Sequence, residues 1–445
     1  MRETIAQQPP LVASAIPHAH AAELERVSQV LRGLRGAARR VADDLRHGVA
    51  NPDRGRRGLS GDQVLRLVVL KQLTGFSYAQ LSFHLADSSS YRRFCMLGVD
   101  GWSPSASTLQ ANVKRVRAET LEWINRRLLR TAKSAGVEDG STVIVDSTAV
   151  EANIHHPTDN SLLCDGVRIL SRLLRRSREF VEVEFSDHTE RARRRSLGIS
   201  NGRDMKRRRP LYRELLQVAS WTLGYCQEAT GKLGRLRRAG AQKLRAEMQH
   251  YAGLLAQVVE QTRRRVFEDE SVPAEEKVVS LVEPHTAILM KGGRRPEYGH
   301  KVSFTTGRTG LVLDLTVEQG NTADSAMAVP AVWRVAKLFG SMPTEATFDA
   351  GFASRANQET LVEMGVEQVA FAKNSAINVL ASVTDAQTHR KLQRLRAGIE
   401  ASISWLKRCF GLGRCTWRGF QSFRAYVWSG ALAANLLQFA RLSPA

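Results

Sequence analysis

Short strand-like segments stand on both sides of a long basic helical stretch, and this order restricts the possible folds more than any other feature. Val143-Ile144-Val145 has the apolar, β-branched character of a buried strand. Residues 300–306 and 311–317 form two more such runs around Gly307-Arg308-Thr309-Gly310, which is typical of a hairpin. Further elements are predicted as helices over 322–339, about 387–410 and 423–441, and as strands that end at Asp349 and cover 367–372. Such an order predicts an α/β fold with a mixed sheet and flanking helices.

The predicted organisation has four parts. They are a mobile N-terminal segment with a helix over about 22–47 (residues 1–55), a helical domain (56–135), an α/β domain (140–159 with 277–441) and a basic helical insertion (160–276). Asp146 and Asp349 are 203 positions apart, far more than a compact sheet needs. The insertion after the first strand accounts for the excess.

The charge balance predicts a polyanionic partner. Lys and Arg total 65 against 44 acids, a formal net charge of +21, and nucleic acid is the leading candidate. Between residues 166 and 213 there are fifteen Lys or Arg and six Asp or Glu. Two clusters, Arg193-Arg194-Arg195 and Lys206-Arg207-Arg208-Arg209, are candidates for phosphate contacts. The alternative is that these runs form a solvated helix face.

Composition excludes several other classes. Of 445 residues, 43% are hydrophobic, which is too apolar for a disordered chain and sufficient for a large core. Five scattered cysteines indicate neither a disulfide framework nor a cysteine-rich zinc site, and they fit a reducing compartment such as the cytoplasm. No stretch approaches 18 apolar residues, and the start of the chain lacks the apolar run of a signal peptide. We therefore expect a cytoplasmic protein with no membrane association.

The helical domain at 56–135 has the pattern of a DNA-reading module. A first helix is predicted over 63–73, and the Ser77-to-Gln80 spacing of a capping box predicts a second. Ser103-Pro104 suggests the start of a third helix that runs through Val113 and Val116. The basic residues beside its apolar face, which are candidates for DNA contacts, are Lys114, Arg115 and Arg117. A helical packing domain without DNA contact is the alternative.

Three acids carry the candidate chemistry. Asp146 follows an apolar strand, where a buried carboxylate is costly unless it binds a cation. Asp349 ends a second strand, and Gly351 is expected to allow a sharp turn there. Glu400 lies on a predicted helix between Arg396 and Lys407, and the three project within about 40° of one another. Three such carboxylates can hold two Mg²⁺ ions, with Mn²⁺ as a substitute, for phosphodiester chemistry.

Other acids and histidines compete for these roles. Asp314 and Asp324 are rival metal ligands, although Asp324 also has the position of a helix cap. His155-His156 suggests zinc but has no Cys or His partners at ligand spacing, so solvated or substrate-adjacent histidines are favoured. His300 is expected to be structural or close to DNA.

These motifs resemble those of bacterial insertion-sequence transposases of the DDE type, which have an RNase H-like catalytic domain. One large group has the signature Y-x₂-R-x₃-E-x₆-K, which Arg396, Glu400 and Lys407 match, while Gln393 stands at the tyrosine position. Asp349, Gly351 and Phe352 match D-x-G-[FY]. Segments similar to an unclassified subset of insertion sequences are Asp146 to Glu151, Pro157-Thr158-Asp159, Glu283 to Thr286 and Tyr298 to Lys301. The resemblance covers residues 58–441.

The resemblance implies a transposase that binds the terminal inverted repeats of its element. It would cut the transposon end to expose a 3′-OH and join that end to target DNA, in a Mg²⁺-dependent reaction. Arg396 and Lys407 would contact the phosphates near the cut, and the protein would act as a homodimer or higher oligomer at the bacterial nucleoid. Two alternatives are a nuclease that does not join strands and a domesticated transposase that only binds DNA.

Overall fold

The computed structural model describes residues 4, 16, 18–51, 54, 58–98, 101–290, 295–372 and 377–443. The predicted mobile start of the chain lies mostly outside these residues. The chain forms two compact units, one built from residues 1–152 and 300–445 and the other from 153–299. The four-part division by sequence stays a prediction.

The first unit opens with helices, most of which begin at a residue whose side chain caps them. They are α1 (Ala19–Gly33), α2 (Ala37–Arg46), α3 (Gly61–Thr74), α4 (Tyr78–Asp87), α5 (Ser89–Phe94), α6 (Ala106–Val113) and α7 (Ala118–Ser134). Capping boxes start α3 at Ser60 and α4 at Ser77, the second of which the sequence predicts.

Two helix predictions in this region are wrong. The single helix over 22–47 is broken between α1 and α2, where Gly36 takes a left-handed φ of +86°. The third helix starts at Ala106 after an N-cap at Ser105, not at Ser103-Pro104, and it ends at Val113 instead of continuing through Val116. The cause of the second error is long-range, because the buried Asp44 carboxylate accepts the backbone N–H of Arg117 and starts α7.

A six-stranded mixed sheet forms the centre of the α/β part. Its strands are β1 (Thr142–Glu151), β2 (Ala287–Leu289), β3 (Glu297–Thr306), β4 (Val312–Val317), β5 (Glu345–Phe348) and β6 (Gln368–Phe371). The order is β2-β3-β1-β5-β6, and β4 also pairs with β3. β5 is parallel to both β1 and β6, whereas β3 and β4 form the predicted antiparallel hairpin.

Helices cover this sheet in the first unit. They are α12 (Ala328–Phe339), α13 (Arg355–Glu363), α14 (Ala386–Cys409) and α15 (Phe420–Leu442). α14 packs on β1, β5 and β6, while α15 packs on β4 and on α1, α3 and α7. The buried Asn435 fixes α15, since its amide bonds to the Asn125 side chain and to the N–H and C=O of Val312. Within the described residues, no helix is both long and apolar enough to cross a bilayer.

The second unit is a helical bundle with its own core. Its helices, in the region where the sequence predicts a basic helical insertion, are α8 (Asp159–Ser177), α9 (Thr189–Asn201), α10 (Met205–Gly234) and α11 (Ala239–Phe267). Leu163, Leu170, Leu215, Val218 and Leu255 are fully buried between them. The basic clusters therefore lie on the surface of a folded, packed helical bundle and not in a disordered arm.

Candidate active site

Asp146 and Asp349 lie side by side on neighbouring parallel strands. Val145 on β1 is the register partner of Phe348 on β5, and the two aspartates are the residues that follow. Adjacent strands are about 4.8 Å apart, so their side chains start close together. Asp349 follows the end of its strand, as predicted. Asp146 does not, because β1 continues to Glu151, whose N–H and C=O bond to Gly413 and Cys415.

The Asp146 carboxylate is buried and oriented by its own backbone. Only 8% of the residue is exposed, and Oδ1 accepts the N–H of Ser147 at 2.7 Å. A buried carboxylate needs donors or a cation to offset the loss of hydration. The site therefore combines one held carboxylate with the more open Asp349, whose side chain is 44% exposed.

Arg396 on α14 links the other two acids. One guanidinium nitrogen, Nη1, lies 3.5 Å from Asp349 Oδ1 and 3.5 Å from Glu400 Oε1. The Arg396 side chain is 19% exposed, while that of Glu400 is 65% exposed. The structure thus brings together Arg396, Asp349 and Glu400, and Lys407 follows half-buried on the same helix.

Gln393, at the position where the signature has tyrosine, is part of this arrangement. Its side-chain amide donates to Thr347 Oγ1 and to the Ala370 carbonyl, both at 3.3 Å, and its carbonyl accepts Arg396 Nε at 3.2 Å. Gln393 therefore ties the guanidinium to strands β5 and β6. Sequence reasoning recorded only its departure from the motif.

Glu345, at the start of β5, holds the N-terminal part of α14 and was missed by the sequence analysis. Its carboxylate accepts Thr142 Oγ1 at 2.8 Å, Lys391 Nζ at 2.9 Å and Arg308 Nη2 at 3.0 Å. Burial acts to raise the pKa of Glu345, but these hydrogen bonds outweigh it and the pKa lies below its usual value. Its partners come from three distant segments, so no local sequence signal marks it.

The three acids supply the type of ligand that a divalent cation binds. Carboxylate oxygens are the ligands that Mg²⁺ prefers, and Arg396 already puts a positive group between Asp349 and Glu400. In the part of the chain that the structure describes, no three Asp, Glu, His or Cys side chains are grouped closely enough to share one metal ion. The described arrangement is therefore one in which a guanidinium balances two of the carboxylates.

The rival residues have other partners. Asp314 is buried on β4 and pairs with Arg334 Nε at 2.7 Å. Asp324 accepts Ser147 Oγ at 2.8 Å and lies 3.2 Å from Lys301 Nζ, beside the aspartates. Gly351 lies in the turn that follows Asp349, the short 3₁₀ helix Ala350–Phe352, but its φ is not left-handed, so the turn itself does not require glycine.

The predicted histidines lie in separate places. His155 contacts Ser161 Oγ at 3.2 Å, and the His156 ring lies edge-on to Tyr298. His300 is fully buried, with Nδ1 at 3.0 Å from the Glu318 carbonyl and its ring against Phe423. His300 therefore has the structural surroundings that were one of its two predicted alternatives.

The basic clusters of the second unit are only partly available. Four members have carboxylate partners: Arg193 with Glu190, Arg195 with Glu214, Arg207 with Asp204 and Arg209 with Asp269. Arg208 is half-buried and donates to the Gly202 carbonyl. Arg194 and Lys206 are exposed, and no described carboxylate lies within ion-pair distance of either.

The three basic residues of the N-terminal region do not share one helix. Lys114 is the C-cap of α6, Arg115 lies in the turn and donates to the His47 carbonyl at 3.2 Å, and Arg117 is the N-cap of α7. Arg117 is also paired with the fully buried Asp44 side chain at 2.5 Å. Arg117 thus has a structural partner, whereas Arg115 is exposed.

Comparison with protein families gives two matches, each to part of the chain. Residues 283–436 match the family described as Transposase DDE domain, and residues 13–115 match the one described as Transposase domain (DUF772). The comparisons with curated proteins and with solved structures gave no match. Residues 283–436 are therefore similar to a transposase DDE domain, a class of phosphoryl-transfer enzyme, and residues 13–115 are similar to an N-terminal transposase domain.

Proposed function

We propose that the protein is an insertion-sequence transposase that binds the terminal inverted repeats of its element, cuts DNA at the element's ends and joins those ends to target DNA. The observation that carries this proposal is the placement of Asp146 and Asp349 at adjacent register positions, with Arg396 joining Asp349 to Glu400. The strand order β4-β3-β1-β5-β6 supports an RNase H-like sheet. The chain would act in the cytoplasm, at the nucleoid, as a homodimer or higher oligomer.

Asp146, Asp349 and Glu400 would hold the divalent cation, with Mg²⁺ as the natural ion and Mn²⁺ as a substitute. When bound, such ions stabilise charge on the scissile phosphate and activate the attacking oxygen. The Ser147 N–H orients the Asp146 carboxylate before any ion arrives. Gln393 holds Arg396 at the edge of the acids, where a guanidinium can bind a DNA phosphate. Lys407, on the same helix, would add a second phosphate contact.

The test is cleavage and joining of DNA that carries the element's own ends. Asp146→Asn, Asp349→Asn and Glu400→Gln each remove a charge but little volume. Each should abolish cleavage, with a loss of at least about 100-fold, while the thermal melt and DNA affinity stay close to wild type. Normal cleavage by any one of the three would remove that residue from the site.

Glu359→Gln is the matched control for Glu400→Gln. Glu359 is also an exposed helix glutamate with an arginine four residues earlier, Arg355, whose Nε lies at 2.8 Å. It should cleave like wild type. The assay also separates the alternatives: cleavage without joining indicates a nuclease, and binding without cleavage by the wild-type protein indicates a domesticated transposase.

A further inference from the structure

A fourth carboxylate, Asp324, contacts the residue after Asp146 within β1 and approaches the turn that follows Asp349. It is the first residue of a short 3₁₀ helix, Asp324–Met327, and its side chain is 26% exposed. Its Oδ1 accepts the hydroxyl of Ser147 at 2.8 Å. Ser147 in turn donates its backbone N–H to Asp146. One hydroxyl and one N–H therefore connect Asp324 to the Asp146 carboxylate.

Asp324 also fills the space beside the second aspartate. A Cβ atom added at Gly351 would lie 2.9 Å from Asp324 Oδ2 and 3.5 Å from Asp324 Cβ. Gly351 is two residues after Asp349, in the short helix that follows β5. The absence of a side chain at Gly351 thus leaves room for the Asp324 carboxylate beside the backbone that follows Asp349.

Lys301 is the counter-ion of Asp324. Its Nζ lies 3.2 Å from Asp324 Oδ1 and donates to the Thr322 carbonyl at 2.7 Å, and the lysine side chain is only 17% exposed. Lys301 belongs to β3, the neighbour of β1 in the sheet. The ion pair thus joins β3 to the segment before α12, directly beside β1.

Strand geometry separates Asp324 from the metal-facing side. Successive side chains of a strand point to opposite faces, so Ser147 faces away from the side that Asp146 faces. Asp324 contacts β1 through Ser147 and hence supports it from that opposite face. This arrangement suits a residue that orients a ligand better than a ligand itself.

We propose that Asp324 is a positioning residue that holds β1 at Asp146 and the turn after Asp349 in a fixed relation, acting through Ser147 and Gly351 with Lys301 as its counter-ion. The proposal rests on the proposed function, since it assigns a role within the same site. Partners of this kind set metal affinity, and their loss typically weakens it by about 10-fold to 100-fold.

The experiment measures Mn²⁺ binding to the full, DNA-free chain by titration calorimetry, and the Mg²⁺ concentration that gives half-maximal cleavage. Asp324→Ala should raise the dissociation constant for Mn²⁺ and the half-maximal Mg²⁺ concentration by about 10-fold or more. The milder Asp324→Asn should raise them by less, because its amide oxygen still accepts from Ser147. Asp314→Asn, which breaks the buried pair with Arg334, is the control for general damage. It should lower the melting temperature and leave both metal readouts within about twofold.

The pathway through Ser147 is tested by the double variant. Ser147→Ala combined with Asp324→Ala should bind Mn²⁺ no more weakly than Asp324→Ala alone. The proposal is overturned if Asp324→Ala or Asp324→Asn shifts the metal readouts no more than Asp314→Asn does. It is also overturned if Asp324→Cys cuts DNA with Mn²⁺ but not with Mg²⁺, which would make Asp324 a direct ligand. A wild-type protein that binds Mn²⁺ yet never cuts the DNA ends would contradict the proposed function instead.

Discussion

The ion pairs in the second unit change what neutralising its basic clusters should do. Seven positive residues, Arg193–Arg195 and Lys206–Arg209, would each suit a phosphate by sequence, but four of them have carboxylate partners. Arg194 and Lys206 are exposed and have no described carboxylate at ion-pair distance. These two should therefore carry most of the salt-dependent DNA binding of the clusters.

The perturbation is the double variant Arg194→Gln, Lys206→Gln. Each phosphate contact contributes about −0.9 to the slope of log affinity against log salt, so the slope should become shallower by about 1.8. For a fourfold rise in salt, wild type should lose about 12-fold more affinity than the variant. Fluorescence anisotropy with labelled duplexes of two unrelated sequences, over a salt series, measures this. The effect should be the same for both sequences because phosphates carry no base information.

The matched control is Arg193→Gln, Arg207→Gln. These residues neighbour the first pair and are 75% and 76% exposed, but Arg193 pairs with Glu190 at 3.4 Å and Arg207 with Asp204 at 3.9 Å. Their removal also leaves two carboxylates without a counter-ion, which repel nearby phosphates and lower the affinity. The slope of log affinity against log salt should change by less than about 1. An unchanged slope in the first variant, or an equal change in the control, would refute the reasoning.

Two further predictions concern the other parts of the first unit. Glu345→Gln should lower the free energy of unfolding by about 1–2 kcal/mol, since two of its three donors are largely exposed. Because the pKa of Glu345 is lowered in the folded protein, its contribution to stability is present above the pKa of an unfolded glutamate and is lost as pH falls through the folded value. In urea melts, the free energies of unfolding of wild type and variant should therefore converge at acid pH. A difference that stays constant with pH would contradict this. Arg117→Ala should destabilise the fold by about 2 kcal/mol, because it leaves Asp44 buried without its cation. Arg115→Ala should leave the thermal melt unchanged. It should reduce the preference for the terminal repeat over scrambled DNA, measured at one salt concentration. Equal preference in wild type and Arg115→Ala would move end recognition elsewhere.

The sequence predicts well where a feature depends on neighbouring residues. The apolar positions Leu392, Ile399 and Leu406 place α14 against the sheet, and all three are buried there. Gly307 to Gly310 marks the hairpin between β3 and β4 for the same local reason.

Predictions fail where a distant residue decides. The helix end at Val113 depends on Asp44, which is 73 positions before the Arg117 N–H that it accepts. Asp324 and Ser147 are 177 positions apart, so no pattern in either segment indicates their contact. β1 continues beyond its apolar residues as far as Glu151, because the backbone of Glu151 bonds to the distant Gly413 and Cys415. The polar Asp146 therefore lies inside the strand.

Gln393 shows that the departure from the signature concerns the support of Arg396 and not the acids. A tyrosine hydroxyl offers one donor and an acceptor on a single atom, whereas an amide offers two donors on one atom and an acceptor on another, in one plane. Here the amide donates to Thr347 and Ala370 and accepts from Arg396, three contacts on three different segments. The side chain that bridges Asp349 and Glu400 is thus held by two strands of the sheet through one residue of its own helix. The acids can therefore keep their arrangement although the tyrosine is absent, because the Gln393 amide holds the guanidinium of Arg396 between Asp349 and Glu400.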